Sequence, residues 1–143
     1  MNQFNTCLVK KIEPNATLPT RAHPSDAGLD LYSTSSCEVS VGGSACIQTG
    51  IAIAVPPGYV GMLADRSSLA KKGLKLAGGI IDSGYSGEVS VVLWNISEVP
   101  VEIKKYDRIA QLLLIPIATP EVEEVTQLRE TLRACNGFGS SGR

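Results

Sequence analysis

Residues 51–64 read IAIAVPPGYVGMLA, in which two short apolar runs are separated by the turn Pro56-Pro57-Gly58. The first run covers residues 51–55 and ends at the prolines, which lack the N–H group that a continuing strand or helix would need. The second run covers residues 60–64 and resumes the apolar pattern directly after the turn. Two short apolar runs bounded by turn residues predict a pair of β-strands.

Similar runs rich in Val, Ile and Leu continue in both directions, between glycines and prolines that recur at short intervals. Further strands are predicted at residues 7–12, 37–41, 45–48, 88–94, 101–104 and 109–117. This spacing favours an antiparallel sandwich or barrel. One short helix is predicted at residues 67–72, where Ser67 or Ser68 can cap its start. Residues 121–132 could form a second helix, since Val122, Val125 and Leu128 fit helical spacing loosely, but the prolines just upstream favour extended chain, which is our prediction.

The chain has 143 residues, of which 43% are hydrophobic and 19% are charged. This length indicates a single domain. A domain of this size buries about 68% of the surface of its unfolded chain, which is enough for a hydrophobic core. With 13 basic and 14 acidic residues, the net charge of −1 offers no general electropositive face. We therefore expect no binding to polymeric nucleic acid, although a local basic cluster could hold a small anion.

No apolar run approaches the roughly 18 residues that a membrane helix needs, so no membrane association is expected. Lys10 and Lys11 follow the weak apolar start instead of preceding it, which is not the order of a signal peptide. We therefore expect a cytoplasmic protein, or also a nuclear one if the source is eukaryotic. The four cysteines lie far apart and His23 is the one histidine, so we expect reduced thiols and no zinc site.

A candidate anion site lies in DRSSLAKKG, residues 65–73. Arg66 brings a guanidinium, and Ser67 and Ser68 bring hydroxyls, just before a predicted helical turn whose first N–H groups are free. The alternative is an ordinary surface helix with a serine cap, which this motif alone does not exclude.

A second candidate site is GGIIDSGYSGE, residues 78–88, which we interpret as a β-hairpin with functional groups at its tip. Asp82 is a candidate general base, and Tyr85 can present its ring to a ligand. The glycines permit a ligand to approach the backbone closely. The alternative is a turn aspartate that only bonds its own backbone.

Three further segments carry polar or aromatic residues in distinctive places. AGLDL, residues 27–31, places Asp30 inside an apolar segment, and DRIAQL, residues 107–112, puts an acid–base pair before a buried strand. The glycine-rich end holds Phe138, which could stack on a base, while Arg133 could meet a phosphate. The alternative for this end is a flexible tail without a function.

Taken in order, AGLDL, RSSLAKKG, GGIIDSGYSGE, DRIAQL and R…GFGSSG resemble the motifs of the trimeric deoxyuridine triphosphate nucleotidohydrolases (dUTPases), over residues 7–142. The resemblance implies a jelly-roll-like all-β domain, residues 1–132, and a flexible C-terminal arm, residues 133–143. It also implies a homotrimer in which each active site is shared between subunits, with the arm closing over a neighbour's site. The implied activity is dUTP diphosphatase, the Mg²⁺-dependent hydrolysis of dUTP to dUMP and pyrophosphate. That reaction limits uracil incorporation into DNA and supplies dUMP for dTMP synthesis.

The resemblance also implies which residues would act on the nucleoside and on the water. Asp82 would orient and deprotonate the attacking water and hold the sugar 3′-hydroxyl. Tyr85 would lie against the deoxyribose and leave no room for a 2′-hydroxyl. The uracil edge would be read by the backbone of Gly78, Gly79, Ile80 and Ile81.

The residues implied to act on the triphosphate come from other segments. The phosphates would be held by Arg66, Ser67 and Ser68. Gln111 would help to position the phosphates or the water, and Asp30 would contact the Mg²⁺ ion through water. The arm would contribute substrate contacts from Arg133, Phe138, Gly139, Ser140 and Ser141, with Phe138 stacking on uracil.

Several positions depart from the family pattern. Asp65 precedes Arg66 where a small or neutral residue is usual, and it would either weaken phosphate attraction or support the arginine. Tyr106 replaces a common glycine, and Gly84 stands where many members carry a second acid. Residues 134–136 and Ser141 also differ, which predicts a stiffer arm.

Two other functions are compatible with parts of this pattern. A dCTP deaminase shares the fold and an RSS segment, but Val92 stands where its catalytic glutamate would lie, and the FGSSG arm is foreign to it. A catalytically silent nucleotide-binding module would keep the same binding residues without turnover.

Overall fold

The computed structural model of the protein describes residues 6–129, which form eleven β-strands and one short helix. In chain order the elements are Leu8–Lys11 (β1), Leu29–Tyr32 (β2), Cys37–Val39 (β3), Ser44–Gln48 (β4), Ile51–Ala54 (β5), Tyr59–Ala64 (β6), Ser67–Ala70 (α1), Leu74–Ala77 (β7), Ile80–Ile81 (β8), Ser90–Asn95 (β9), Val101–Ile103 (β10) and Arg108–Pro116 (β11). All strand pairs among them are antiparallel, so the predicted all-β class is confirmed.

The strands form two larger sheets and two separate strand pairs. The largest sheet has the order β2-β11-β6-β8, and the second has the order β4-β9-β7. The two-stranded pairs are β1-β5 and β3-β10. Because most neighbouring strands are distant in sequence, the chain crosses between sheets instead of folding into successive hairpins. This connectivity agrees with the jelly-roll-like architecture expected from the motifs.

The core is one cluster of apolar side chains to which both larger sheets and both strand pairs contribute. Alternate positions of β9 point inward, where Val91 is 0% and Leu93 2% exposed, while Trp94 lies on the outer face. On the central strand β11, Ile109 and Leu112 are each 1% exposed. Each such side chain stabilises the fold by about 1.5–3 kcal/mol when it is fully buried. The alternating side chains of β9 and the buried positions of β11 are therefore part of what builds the core.

Helix α1 is a single turn that follows β6 and ends before Gly73. Arg66 is its N-cap residue and makes no side-chain cap, so the predicted capping by Ser67 or Ser68 is wrong. Both serines instead lie in the turn itself, and Leu69 anchors the turn by burying its side chain. The helix ends two residues earlier than predicted because the N–H groups of Lys72 and Gly73 donate to carbonyls three residues back, not four.

Eight predicted strands are present, each with both ends within two residues of the prediction. Strands β2, β7 and β8 are additional to these eight, and β8 lies in the segment predicted as a hairpin. The predicted hairpin at residues 78–88 is wrong in its pairing. Strand β8 pairs with β6, and β9 pairs with β4 and β7, so the two sides of this segment belong to different sheets. The predicted turn itself exists, because the Tyr85 N–H donates to the Asp82 carbonyl at 3.1 Å.

Residues 121–129 adopt no helix or strand, in agreement with the predicted extended chain. The proposed arm, residues 133–143, lies outside the described residues. Among residues 6–129, the thiols of Cys7, Cys37 and Cys46 are free, as predicted, and burial raises the pKa of Cys7 and of Cys37. The described part of the chain contains no helix with the length and apolar character needed to cross a membrane.

Candidate active site

An ion-paired carboxylate joins two arginines at one end of the largest sheet. The Nε atom of Arg66 donates to Oδ1 of Asp30 at 2.8 Å, and Nη1 of Arg108 lies 3.4 Å from Oδ2 of the same residue. The side chains of Asp30 and Arg66 are only 14% and 21% exposed, so the closer pair is largely shielded from water. A charge-assisted bond of this kind fixes the direction of the Arg66 guanidinium.

The strand order explains why these residues meet. Strand β11 lies between β2 and β6, and its Gln111 is opposite Asp30 on one side and Ala64 on the other. The chain leaves β6 at Ala64 and reaches Arg66 two residues later. The sheet therefore brings three predicted site residues, Asp30, Arg66 and Gln111, to the same place.

The side-chain amide of Gln111 has a defined orientation. Its Nε2 donates to the Asp65 carbonyl at 2.8 Å. Its Oε1 lies against Gly28, so closely that the Cβ atom of any other residue at this position would overlap the amide oxygen. Gly28 is therefore needed for close approach, and the amide oxygen is left facing the same region as the Arg66 guanidinium.

These groups line an open cleft of about 310 Å³, which we call the phosphate cleft. It is lined by Ala22, Asp26, Ala27, Gly28, Asp30, Arg66, Ser67 and Gln111. Ser68 lies at its side, with Oγ 3.5 Å from Nη1 of Arg66. A guanidinium and a hydroxyl that converge on one cleft are suited to binding an oxyanion, whereas the amide oxygen of Gln111 can only accept a hydrogen bond, for example from water.

Two charged residues at or beside this cleft are additional to the predicted site residues. Asp26 lines the cleft and accepts from the His23 N–H at 2.9 Å. The sequence suggests Asp107 or nearby backbone as the partner of Arg108, but Arg108 pairs with Asp30, 78 positions away. Asp107 instead accepts from the Lys104 N–H at 2.8 Å. The AGLDL and DRIAQL segments contain Asp30 and Arg108, but only the sheet pairing brings them together.

The second predicted group lies in a different cleft of about 220 Å³, which we call the loop cleft. It is lined by Leu63, Gly79, Ile80, Ile81, Asp82, Tyr85, Glu88, Val89 and Ser90. Asp82 is exposed at the turn, with no fixed partner for its carboxylate among the contacts of residues 6–129. The Tyr85 hydroxyl donates to the Glu88 carbonyl at 2.9 Å, which holds the ring over Gly87.

Backbone geometry explains the glycines of the loop cleft. Gly79 has a φ of +108°, and its carbonyl accepts from the Leu63 N–H at 2.7 Å, which ties the loop to β6. Gly84 has a φ of +90°, a conformation in which an acidic side chain would be strained. Gly78 is exposed and, unlike its three predicted partners, does not line the cleft.

The phosphate cleft and the loop cleft share no lining residue. A single chain therefore brings together Asp30, Arg66, Ser67 and Gln111 in one place, and Asp82, Tyr85 and the Ile80-Ile81 backbone in another. The predicted contacts from the arm, Arg133, Phe138, Gly139, Ser140 and Ser141, lie outside the described residues.

Asp65, the departure beside Arg66, does not line the phosphate cleft with its side chain. Its carboxylate forms an ion pair with Lys75 and accepts from the Leu76 N–H at 2.7 Å. Burial alone would raise the pKa of Asp65, but the bonds from Lys75 and Leu76 outweigh burial and hold that pKa below its ordinary value. The negative charge is thus balanced by Lys75, and it does not cancel the charge of Arg66.

The described residues form no cage for a metal ion, because residues 6–129 contain no group of three or more His, Cys, Asp or Glu side chains in ligand positions. Both oxygens of Asp30 already bind guanidinium groups. Each carboxylate oxygen retains a further lone pair, which fits an outer contact to a hydrated cation and not direct ligation.

Comparison with known proteins identifies relatives along nearly the whole chain. The dUTPase family model matches residues 14–142. The deoxyuridine 5′-triphosphate nucleotidohydrolase of Solanum lycopersicum is 48% identical, over 94% of this chain and 80% of the relative. That of Paramecium bursaria Chlorella virus 1 is 45% identical, over 97% of this chain and 99% of the relative.

Solved structures are similar in fold as well as in sequence. The dUTPase of Staphylococcus bacteriophage 80alpha with dUpNHpp has a TM-score of 0.93 and 33% identity, over 98% of this chain and 100% of that chain. The dUTPase of phage phi11 of S. aureus, in a variant described with a structural Mg(II) ion, has a TM-score of 0.82 and 29% identity, over 88% of this chain and 100% of that chain.

Proposed function

The chain belongs to the dUTPase family, and from this membership we propose that it is a dUTP diphosphatase, which hydrolyses dUTP to dUMP and pyrophosphate. The observation that carries the proposal is the presence of two complementary half-sites. The phosphate cleft offers a fixed guanidinium to the triphosphate, and the loop cleft offers an exposed carboxylate beside an aromatic ring. The cellular role that follows is to limit uracil incorporation into DNA and to supply dUMP for dTMP synthesis.

The reaction breaks the bond between the α- and β-phosphates after water attacks the α-phosphorus. Asp82 orients this water and accepts its proton, because its carboxylate is exposed at the turn and free to receive it. General-base help contributes about 10²–10⁴ in rate. The larger part of the acceleration therefore comes from positioning the triphosphate and neutralising its charge.

The phosphate cleft supplies that neutralisation. Asp30 holds the Arg66 guanidinium in one direction, so little reorganisation is needed when the phosphates bind. Ser67 adds a hydroxyl at the cleft, and Gln111 directs its amide toward the same space. The Ser67 hydroxyl would donate to a phosphate oxygen, and the amide oxygen of Gln111 would accept from the water, with a direction that is set before substrate arrives.

Mg²⁺ would fit this site as a hydrated ion that Asp30 holds through water. When bound, it supplies charge neutralisation for the phosphate oxygens. This assignment agrees with the absence of a carboxylate cage among residues 6–129. The Mg(II) ion described for the phage phi11 relative is a structural one. It supports Mg²⁺ binding by that relative, and the role of Mg²⁺ at the phosphates is part of our proposal.

The loop cleft is suited to a deoxyuridine group. Tyr85 is held over Gly87 by its bond to the Glu88 carbonyl, so its ring can lie against the deoxyribose and exclude a 2′-hydroxyl. Gly79, Ile80 and Ile81 line the cleft, and their backbone groups that remain free of the β6 pairing would bond the uracil edge. A backbone N–H that meets O4 of uracil would reject the amino group of cytosine, a mismatch worth on the order of 10⁴.

The complete site is formed between subunits of a homotrimer. Support comes from the separation of Asp82 and Arg66 into clefts that share no residue, which a symmetric assembly can bring together from neighbouring chains. The arm, residues 133–143, would then close over this shared site, with Phe138 on uracil and Arg133 on the terminal phosphate.

A release assay with purified protein and Mg²⁺ tests the activity. Pyrophosphate should appear with dUTP and far less with dTTP, dCTP or UTP. Release of ammonia from dCTP would instead indicate a deaminase, and dUTP binding without pyrophosphate would indicate a silent binding module. Asp82→Asn should still bind dUTP but hydrolyse it at least about 10²-fold more slowly. Glu98→Gln, an exposed control, should bind and hydrolyse dUTP like the unaltered protein.

Subunit mixing tests the shared site. Chains with Asp82→Asn and chains with Arg66→Ala should each be nearly inactive as homotrimers. When the two are co-expressed in equal amounts, about one quarter of the sites in a closed ring combine an intact Arg66 with a neighbour's intact Asp82. Recovery of about this fraction of activity supports the proposal, and no recovery above either parent contradicts it.

A further inference from the structure

Asp65 connects the corner between β6 and α1 to a strand of the other sheet. Its Oδ1 accepts from the Leu76 N–H at 2.7 Å, and its Oδ2 pairs with the ammonium of Lys75. Both partners lie on β7, which is an outer strand of the sheet β4-β9-β7. An outer strand has no further strand to receive its outward N–H groups, and the Asp65 carboxylate takes that place.

The same residue contacts the phosphate cleft through its backbone. The carbonyl of Asp65 accepts from Nε2 of Gln111 at 2.8 Å. Since an amide has its donor and acceptor on opposite sides, this bond also sets the direction of Oε1, which lies against Gly28. The position of the Asp65 carbonyl therefore determines which face of the Gln111 amide meets a ligand.

The carboxylate bonds hold that carbonyl in place. The corner itself is not fixed by a helix cap, because Arg66 has the N-cap position without a side-chain hydrogen bond to the helix. The Asp65 side chain is 23% exposed while that of Lys75 is 62% exposed, so the inner anchor is the bond to Leu76 and the outer one is the ion pair.

We propose that Asp65 is a positioning residue that acts through Gln111, because its carboxylate clamps the corner to β7 and its carbonyl orients the Gln111 amide in the phosphate cleft. The inference rests on the proposed function only in assigning Gln111 a task in catalysis. The orientation of the Gln111 amide does not depend on the proposed function. Lys75 is the outer member of the same clamp.

A kinetic cycle with Gln111 distinguishes positioning from a general loss of structure. Asp65→Ala should lower kcat for dUTP about tenfold with KM changed less than about twofold, since small misplacements at a site cost up to about 10²-fold. In a Gln111→Ala background the same change should have almost no further effect. Equal losses in both backgrounds, or unchanged kcat in the first, would overturn the inference.

Milder variants keep the test decisive if Asp65→Ala does not fold. Asp65→Asn preserves an acceptor for the Leu76 N–H and loses only the ion pair, so it should restore most of the lost kcat. Lys75→Ala should resemble Asp65→Asn, and the exposed control Lys71→Ala should match the unaltered protein. If Asp65→Asn were as slow as Gln111→Ala while folded, the anchoring role of the Leu76 bond would be wrong.

A spectroscopic measurement separates this inference from the proposed function. The side-chain amide signals of Gln111 can be assigned in a ¹H–¹⁵N spectrum from their loss in Gln111→Ala. Asp65→Ala should move these signals toward those of a solvent-exposed glutamine, Asp65→Asn should move them a smaller distance in the same direction, and Lys71→Ala should not move them. Unmoved signals overturn the inference even if dUTP is hydrolysed, and moved signals support it even if no hydrolysis occurs.

Discussion

The Nε atom of Arg66 lies 2.8 Å from Oδ1 of Asp30, across the central strand β11, which lies between β2 and β6. The carboxylate of Asp30 therefore holds the Arg66 guanidinium in its orientation toward the phosphate cleft. Arg108 approaches the other oxygen of Asp30, so the carboxylate is shared by two cations. The arrangement therefore fixes the direction in which the positively charged guanidinium of Arg66 points.

Arg66→Lys keeps the positive charge but removes the planar group that can bond Asp30 and phosphate together. We expect kcat/KM for dUTP to fall by about 10- to 100-fold, since hydrogen bonds to charged groups are worth about 1.5–3 kcal/mol. Steady-state kinetics measure the change, and Arg129→Lys on the exposed end of the described chain serves as the control. A lysine variant with normal kcat/KM would mean that charge alone suffices.

Gly28→Ala should impair the site more than the fold. The added Cβ would lie 3.0 Å from Cβ of Gln111 and closer still to its Oε1, so the glutamine must move. We expect kcat to fall at least about tenfold, with stability reduced by about 1–3 kcal/mol at most. Gly42→Ala, which has a φ of +67° at a remote turn, should lose stability and retain kcat. Retained kcat in Gly28→Ala would show that Gln111 has room to adjust.

Tyr85 should determine discrimination against ribonucleotides by its ring and not by its hydroxyl. Tyr85→Ala should raise the ratio of kcat/KM for UTP to that for dUTP by about tenfold or more, the range that a steric contact in a pocket provides. Tyr85→Phe loses the bond to the Glu88 carbonyl but keeps the ring, and its ratio should stay close to that of the unaltered protein. Kinetics with both nucleotides measure the ratios, and an unchanged ratio in Tyr85→Ala contradicts the assignment.

Acid should weaken the fold partly through Asp65. Its pKa is lower in the folded protein than its ordinary 3.8, so its charged form stabilises the fold above that pH. This contribution is lost as the pH falls through the folded-state pKa. Urea denaturation should show Asp65→Asn less stable than the unaltered protein at neutral pH, with the difference shrinking below pH 3.8. A difference that is independent of pH would exclude ionisation of Asp65 as its source.

Removal of residues 133–143 tests the arm. Stacking of a base on an aromatic ring is worth about 1–3 kcal/mol, and Arg133 is lost with Phe138. The shortened chain should keep its oligomeric state and melting temperature, while its kcat/KM for dUTP falls at least about tenfold. Removal of Gly142 and Arg143 alone is the matched control. Full activity after the longer deletion would remove the arm from the mechanism.

Most strands are predictable from sequence because short apolar runs and the turn residues that bound them are local signals. Strand β2 escapes prediction because Asp30 interrupts its apolar pattern, and that acid is tolerated only because two arginines pair with it. Strand β7 escapes prediction because it has only four residues, LKLA, and Lys75 interrupts its apolar run. The pairing around residues 78–88 depends on distant strands, since β8 pairs with β6 and β9 pairs with β4. No local sequence pattern predicts these partners.

The site is predictable as a set of residues but not as an arrangement. The motifs predict Asp30, Arg66, Gln111 and Asp82 by residue type, and sheet register then places the first three together. The role of Arg108 depends on contact with a residue 78 positions away. Tyr106 stands where glycine is usual, and its φ of +69° lies in the region that glycine adopts most easily. Nothing in the structure explains the tyrosine at this position.

The division of Asp82 and Arg66 between two clefts has a consequence for how activity appears in a cell. In the proposed mechanism, a newly synthesised chain is silent until it meets its copies, so hydrolysis begins only after a threshold of accumulated protein. Because each site takes residues from more than one chain, an unfolded or damaged subunit also inactivates the site to which it would contribute on a neighbouring subunit. Specific activity should therefore decline on extreme dilution, long before the individual chains unfold.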